Sequence, residues 1–228
     1  MTKDFIIKSI DTLVFDFDGT LADTTEGILK TTEATLERMG LPAAEPSRVQ
    51  QAIGLPLAGS LRAAGVPEDR IDEGVDTYHE IFYEVAPKHI SIYPGVKEGL
   101  ERLSALGFRM GIATSRSEHS LVMLLEEHGI RQHFEVLGTV QCVSRPKPAP
   151  DLVLWVLEQF GCAPERAMVI GDTTYDIAMG SAAGCSTCAV SYGNHTVEML
   201  RTASPDFVVA DLRELADILG NNQFNNLI

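Results

Sequence analysis

The sequence is poor in positive charge. It contains 18 lysine and arginine residues against 32 aspartate and glutamate residues, which gives a formal net charge of −14. Nucleic acids and anionic membrane surfaces are bound by clusters of basic side chains, so this balance argues against both kinds of partner. An acidic protein also repels small anions. A site for an anionic substrate would therefore need a bound cation or a local lysine or arginine.

Long apolar stretches are missing as well. No run approaches the roughly 18 apolar residues of a membrane span, so we predict no membrane partner. Lys3, Asp4 and Lys8 interrupt the first residues, and no small-residue cleavage site follows them, so we predict no secretory signal. We expect a cytoplasmic protein.

Cysteine is scarce, with four residues in the chain: Cys142, Cys162, Cys185 and Cys188. The last two have C-x-x-C spacing, but no second pair stands at the spacing of a zinc site. We interpret all four as packed thiols, because a free cysteine behaves as a small buried apolar residue.

Short apolar runs alternate with segments of helical period along most of the chain. This alternation predicts an α/β fold with a Rossmann-like parallel sheet covered by helices on both faces. Helices are predicted to end at Gly129, Gly161 and Gly220, since glycine is a common helix stop. The predicted strands are residues 12–15, 108–113, 134–137, 167–170, 187–190 and 207–209.

One long segment breaks this alternation. From about residue 26 to residue 87 the pattern is helical only; Gly40 closes one amphipathic stretch and Pro67 opens another. We predict an α/β core formed by residues 1–20 and 89–220, with a helical insertion of residues 21–88 in it. A tail is predicted at residues 221–228.

The strongest chemical signal is the sequence D-F-D-G-T, which directly follows the first predicted strand. Residues i and i+2 of an extended segment point the same way, so Asp16 and Asp18 converge at the carboxyl end of that strand. Open α/β sheets bind their ligands at this edge. Two carboxylates this close need a shared proton or a metal, and Mg²⁺ prefers oxygen ligands. An acidic loop without function also fits this pair when it is taken alone.

Three further groups of polar residues follow apolar runs or begin helices. Thr114 and Ser115 offer hydroxyls and backbone N–H groups at a strand end, where phosphate oxygens can be held. Lys147 stands between two prolines and can neutralise a phosphate. Asp172 ends another strand, and Asp176 lies one helical turn further on. Each group also has a purely structural interpretation. Thr114 and Ser115 fit a polar turn, Lys147 fits a solvated lysine, and Asp172 and Asp176 fit acids at a helix N-terminus.

These four groups, in this order, resemble the motifs of the haloacid dehalogenase superfamily. The resemblance extends from about residue 13 to residue 219, and the combination of D-x-D-G-T, strand-end threonine, lysine and G-D-x-x-x-D is highly specific. A helical insertion directly after the first motif is similar to the cap of the phosphoglycolate phosphatase-like branch. The resemblance implies that residues 21–88 form a cap that closes over the substrate of a catalytic core, residues 1–20 and 89–220, and that the inner face of the cap sets substrate choice.

The resemblance implies a role for each motif residue. Asp16 would be the nucleophile that forms a phospho-aspartate, and Asp18 would be first the general acid and then the general base. Thr114 and Lys147 would be catalytic groups that bind the phosphoryl group, with Ser115 beside them. Magnesium would be held by the Asp16 carboxylate, the Asp18 backbone carbonyl and Asp172, while Asp176 would act from behind these ligands.

The implied activity is hydrolysis of a small phosphorylated metabolite, with 2-phosphoglycolate as the leading candidate, by a monomer or weak homodimer. A pyrophosphatase and a sugar-phosphate mutase remain open. Hydrolysis is favoured over mutation because mutases of this group carry a histidine and an arginine early in the cap, and residues 26–35 contain neither. The presence of Asp18 argues against a dehalogenase, and the intact motif carboxylates argue against a non-enzymatic binding protein. Arg116 and Arg145 are candidates to bind a second anionic group, and His195 is a candidate for the rim of the site.

Overall fold

The computed structural model describes residues 9–224. Residues 1–8, where no secretory signal was predicted, and residues 225–228 of the predicted tail lie outside this range. The strands are β1 (Thr12–Phe15), β2 (Ala22–Asp23), β3 (Ser91–Ile92), β4 (Arg109–Ala113), β5 (Val136–Gly138), β6 (Ala167–Gly171), β7 (Ser186–Val190) and β8 (Phe207–Val209). The helices are α1 (Thr25–Arg38), α2 (Pro46–Gln51), α3 (Leu57–Ala64), α4 (Ile71–Val85), α5 (Val96–Ala105), α6 (Glu118–Glu127), α7 (Asp151–Phe160), α8 (Thr174–Ala183), α9 (Val197–Thr202) and α10 (Leu212–Phe224).

Six of the strands form one parallel sheet in the order β5-β4-β1-β6-β7-β8. All six predicted strands are present within about two residues of their predicted ends, and the predicted α/β fold is confirmed. Strand β1 is central and buried along its whole length, as a strand covered by helices on both faces must be. Its last residue, Phe15, pairs with Ile112 of β4 and Ile170 of β6. The chemistry-bearing residues that follow these three strands therefore emerge together at one edge of the sheet.

The helical segment between β1 and α5 is flanked by two short strands, β2 before it and β3 after it. Strands β2 and β3 pair antiparallel, with Ala22 opposite Ile92 and Asp23 opposite Ser91. Between them, helices α1 and α4 pack against each other, and α3 packs on α4. The predicted helical character of this segment is confirmed, whereas its identity as a separate cap domain stays a prediction.

The helix end predicted at Gly220 is wrong, because α10 continues to Phe224. A hydrogen atom in place of a side chain lets α10 pass close to Leu106, since a Cβ at Gly220 would lie 3.3 Å from Leu106 Cδ1. Burial of Leu215 and Leu219 on the inner face of α10 outweighs the weak helix propensity of one glycine, which is about 1 kcal/mol. By contrast, Gly161 ends α7 in a left-handed conformation, as predicted.

No helix within residues 9–224 combines the length and the apolar character that a membrane crossing requires. This agrees with the apolar runs of the sequence, which are all short.

The contact between α5 and α10 gives a test of the packing. A Cβ at Gly99 would lie 2.6 Å from Leu212 Cβ and 2.9 Å from its carbonyl carbon, so we expect Gly99→Ala to destabilise the protein by about 1–3 kcal/mol. Urea unfolding measures this change. Gly59→Ala is the matched control: its Cβ would make only an ordinary 3.6 Å contact with Leu55, so stability should rise by up to about 1 kcal/mol. An unchanged free energy of unfolding for Gly99→Ala would contradict the described packing.

Candidate active site

The centre of the site is a buried ion pair between Asp16 and Lys147. Asp16 directly follows β1, and its N–H continues the ladder by donating to the carbonyl of Ile170 at 2.9 Å. The Lys147 ammonium lies 2.8 Å from Asp16 Oδ1 and 2.7 Å from Asp176 Oδ1, and its side chain has no exposed surface. Burial alone would lower the pKa of Lys147, but the two carboxylates outweigh burial and raise it. The flanking prolines therefore frame a buried, charged lysine and not a solvated one.

The second oxygen of Asp16 lacks a partner. Oδ2 is buried and accepts no hydrogen bond from residues 9–224, which is rare for a carboxylate oxygen inside a protein. Carboxylate oxygens of Asp16, Asp172 and Asp176 lie within 4.8 Å of one another. Burial raises the pKa of Asp16, the neighbouring carboxylates raise it further, and Lys147 opposes them. The cluster contains three buried carboxylates and the single positive charge of Lys147. An additional cation would balance the remaining negative charge, and the cluster offers it only oxygen ligands.

Asp172 is fixed by hydrogen bonds from two other parts of the chain. Thr20 Oγ1 donates to Oδ1 at 2.9 Å, and Asn194 donates to Oδ2 through its backbone N–H at 2.7 Å and its side-chain amide at 2.9 Å. Burial and the charge of Asp176 raise the pKa of Asp172 to about 7, although the hydrogen bonds from Asn194 and Thr20 lower it. The Asp172 carboxylate is thus held in one orientation, but the groups that donate to it are neutral and do not balance its negative charge.

Asp176 uses both of its oxygens within the protein. Oδ1 pairs with Lys147, and Oδ2 accepts hydrogen bonds from the Thr173 backbone N–H at 3.0 Å and hydroxyl at 2.6 Å. Thr173 in turn caps the first turn of α8. Asp176 therefore anchors Lys147 and lies in the first turn of α8, as the structural interpretation expects, and its role behind the metal ligands stays a prediction.

Thr114 and Ser115 follow β4 and differ in where their hydroxyls point. Thr114 is buried, its N–H donates to Gly138 at 3.0 Å, and its Oγ1 accepts from the Arg116 N–H at 3.3 Å. The Ser115 hydroxyl instead donates to the carbonyl of Gly54, in the helical segment, at 2.7 Å. Ser115 thus joins that segment to the sheet edge, and its predicted contact with phosphate stays a prediction.

Arg116 holds Asp18. Its Nε lies 2.9 and 2.8 Å from the two carboxylate oxygens, and its Nη2 lies 2.6 Å from Oδ1. The guanidinium carbon is 5.4 Å from the ring centre of Phe17 and 5.1 Å from that of Phe82, so aromatic rings also hold it in place. Arg145 was the second arginine predicted to bind an anionic group. Its side chain is 74 % exposed and pairs with Asp151, and Arg145 does not line the cavity beside Asp16 and Asp18.

A cavity opens between Asp16 and Asp18 on one side and the helical segment on the other. The helical segment contributes seven apolar or aromatic side chains to its wall: Ile28, Ile53, Leu55, Leu57, Tyr78, Phe82 and Tyr83. Arg116, His79 and several hydroxyl groups complete the lining. The cavity beside Asp16 and Asp18 therefore offers both apolar surface and hydroxyl groups to a ligand.

His195 lies at the contact between the helical segment and the loop after β6. Its Nδ1 accepts a hydrogen bond from the Thr174 N–H at 3.1 Å, and its Nε2 faces the Gln51 carbonyl at 3.4 Å. These partners assign a neutral ring with the proton on Nε2. Burial lowers the pKa of His195, which favours this neutral form. Tyr175 donates to the same Gln51 carbonyl at 3.3 Å, so His195 takes part in the contact between the helical segment and the start of α8 and does not line the cavity.

Comparison with known proteins decides the family. Residues 13–190 match the family described as haloacid dehalogenase-like hydrolases. The chain belongs to this family. It is 32% identical over 222 residues to a phosphoglycolate phosphatase of Nitrosococcus oceani, covering 94% of this chain and 98% of the relative. It is 30% identical over 213 residues to the pyrophosphatase PpaX of Bacillus velezensis, covering 93% and 98%.

A solved structure agrees with the described fold. The haloacid dehalogenase-like family protein SP0104 of Streptococcus pneumoniae superposes with a TM-score of 0.83 at 25% identity, covering 92% of this chain and 98% of that one. The predicted family and the predicted enzyme class, a haloacid dehalogenase-type phosphatase, are confirmed. Members of this family generally use a divalent metal, and the buried cluster of Asp16, Asp172 and Asp176 is suited to one.

Proposed function

We propose that the protein hydrolyses a small phosphomonoester with the help of Mg²⁺, through a phospho-aspartate on Asp16, and that 2-phosphoglycolate is its substrate. The observation that carries the reaction type is the state of the Asp16 carboxylate. One oxygen is paired with Lys147, and the other is buried within a carboxylate cluster and accepts no hydrogen bond from the described residues; Asp16 itself lines the cavity. The name of the relative from Nitrosococcus oceani supports the choice of substrate.

In the first step, a carboxylate oxygen of Asp16 attacks phosphorus in line with the ester bond. The bond between phosphorus and the leaving oxygen breaks, and Asp18, in its protonated form, donates a proton to that oxygen. Lys147 keeps Asp16 oriented and neutralises charge on the phosphoryl oxygens. The Thr114 hydroxyl donates a hydrogen bond to one of these phosphoryl oxygens. The products are the free alcohol and a mixed anhydride of phosphate and Asp16.

In the second step, Asp18 takes a proton from a water molecule, which attacks phosphorus of the anhydride. The bond between phosphorus and the Asp16 oxygen breaks and releases inorganic phosphate. Asp18 ends protonated and Asp16 ends ionised, so the site returns to its starting state. In the structure both oxygens of Asp18 accept hydrogen bonds from Arg116, so one oxygen must leave this pairing when Asp18 carries the proton.

Mg²⁺ would be held by Asp16, Asp172 and the backbone carbonyl of Asp18, and when bound it supplies positive charge to the phosphoryl oxygens. Asp176 would not bind it directly, because both of its oxygens are engaged by Lys147 and Thr173.

The pKa of Asp172 predicts how Mg²⁺ binding depends on pH. Because this pKa is raised to about 7, protons compete with the metal for the Asp172 carboxylate below pH 7. At pH values well above 7 the carboxylate is ionised and this competition ends. We expect the apparent Kd for Mg²⁺ to rise by up to about tenfold per pH unit as pH falls below 7. Isothermal titration of metal-free protein between pH 5.5 and 8.5 measures this. Asp172→Asn should bind Mg²⁺ weakly at every pH, and a Kd that is independent of pH in the wild type would contradict the assignment.

We further propose that residues 21–88 act as a cap that covers the site. The hydrogen bond from Ser115 to Gly54 and the contacts of His195 and Tyr175 with Gln51 support a closed position of this segment. Exchange of substrate and product then requires these few polar contacts to break. A cytoplasmic location and a monomer or weak homodimer stay predictions.

A pyrophosphatase is the second candidate, because the relative from Bacillus velezensis bears that name at nearly the same identity. Phosphate release from 2-phosphoglycolate, pyrophosphate, a nucleoside monophosphate and glucose phosphates, with Mg²⁺ present, separates the candidates. We expect the highest kcat/KM for 2-phosphoglycolate. Faster hydrolysis of pyrophosphate would favour the second candidate, and isomerised sugar phosphate without free phosphate would indicate a mutase.

A further inference from the structure

Arg116 is the one lysine or arginine among the described residues that line the cavity. The carboxylates of Asp16 and Asp18 also line it, together with seven apolar or aromatic side chains and several hydroxyl groups. A negatively charged leaving group would be repelled by these carboxylates and by the acidic protein as a whole, unless this guanidinium binds it.

The hydrogen bonds of Arg116 leave part of the guanidinium available. A guanidinium has five N–H donors, and Arg116 directs Nε and Nη2 to Asp18. The side-chain hydrogen bonds that Arg116 donates within residues 9–224 use Nε and Nη2 and leave Nη1 without an acceptor, and 8% of the side-chain surface is exposed. Arg116 therefore pairs with Asp18 through Nε and Nη2, and Nη1 is left to bind a ligand in the cavity that Arg116 lines.

Both the position and the surroundings of this nitrogen favour binding of an anion. Phe17 and Phe82 lie against the guanidinium and restrict its motion, so little side-chain entropy is lost on binding. The apolar wall lowers the local dielectric constant and strengthens a charge-assisted hydrogen bond relative to one in water. A neutral alcohol would gain nothing from the charge.

We infer that Arg116 selects phosphate esters whose leaving group carries a second anionic group a few bonds from the ester oxygen. This inference rests on the proposed function. Asp18 must contact the leaving oxygen, and Asp18 is in direct contact with Arg116, so the two ends of the leaving group lie close together. The class includes phosphorylated short hydroxy acids and pyrophosphate, whose leaving groups are both anionic.

The test compares anionic and neutral leaving groups in the same protein preparation. The anionic substrates are 2-phosphoglycolate and pyrophosphate, and 2-hydroxyethyl phosphate is the neutral ester of matched size. For the wild type we expect kcat/KM to favour at least one anionic substrate by about 10- to 100-fold. In Arg116→Gln this ratio should fall close to one, chiefly through a higher KM for the anionic substrate. Arg116→Lys, which keeps the charge, should retain part of the ratio.

A ratio measured within one preparation is insensitive to partial unfolding, because inactive protein lowers both rates equally. Arg145→Gln is the matched control and should leave the ratio unchanged, since Arg145 is exposed and pairs with Asp151. An equal proportional loss on all substrates in Arg116→Gln would show that Arg116 only positions Asp18, and it would overturn the inference. Wild-type hydrolysis without any preference for an anionic leaving group would also overturn it. Absence of hydrolysis with every ester would overturn the proposed function together with the inference. The relative rates of 2-phosphoglycolate and pyrophosphate identify which anionic leaving group is used.

Discussion

Asp16→Asn is expected to lower kcat by at least about 10⁴-fold, because the substitution removes the attacking oxyanion and leaves an amide that forms no phospho-intermediate. Phosphate release under saturating substrate and Mg²⁺ measures the loss. Asp217→Asn is the matched control: it removes a carboxylate from an exposed position on α10, paired with Arg102, and should keep wild-type activity.

The Asp16→Asn protein should remain folded. Lys147 keeps its salt bridge to Asp176, and the asparagine carbonyl can still accept a hydrogen bond from the ammonium. The substitution also relieves repulsion among the three buried carboxylates. Urea unfolding of both proteins, with and without Mg²⁺, checks this expectation. Phosphatase activity within tenfold of the wild type, in folded Asp16→Asn protein, would be incompatible with a nucleophilic role.

Asp18→Asn is expected to lower steady-state turnover by about 10²- to 10⁴-fold, since it removes the acid of the first step and the base of the second. The two steps can be separated with p-nitrophenyl phosphate, whose leaving group needs little protonation. With this ester the first step should continue while the second stalls. We therefore expect a burst of nitrophenolate that approaches one equivalent per enzyme, followed by slow turnover, in a rapid-mixing experiment.

The variant keeps one acceptor for Arg116 in the asparagine carbonyl, so the cavity wall should stay in place. Wild-type protein measured in the same experiment should release nitrophenolate without a comparable burst and slow phase. If Asp18→Asn turned over p-nitrophenyl phosphate at the wild-type rate, Asp18 would have no part in the second step.

The sequence was sufficient to predict which residues end the central strands. Asp16, Thr114 and Asp172 each follow a short buried run, and the carboxyl ends of parallel strands share one edge. The alternation of strand and helix patterns therefore predicted both the sheet and the convergence of these residues. Ends of elements were less predictable, as at Gly220, where packing of α10 outweighs a local stop signal.

Partners that depend on long-range folding could not be predicted. Asn194 binds Asp172 from a loop 22 residues later, and no local pattern marks it. Thr20 stood in the first motif, but its bond to Asp172, 152 residues away, required the fold. The pairing of Arg116 with Asp18 likewise joins residues 98 positions apart. These contacts orient the charged groups, and they were outside the reach of spacing arguments.

Identification of the phosphorylated residue tests the central claim most directly. Wild-type and Asp18→Asn proteins would be mixed with substrate and Mg²⁺, quenched in acid during turnover, and reduced with borohydride, which converts an aspartyl phosphate to homoserine. Tandem mass spectrometry should then find homoserine at position 16, more in Asp18→Asn than in the wild type, and none without substrate. Phosphate release with no modification at Asp16 in either protein would contradict the phospho-aspartate mechanism.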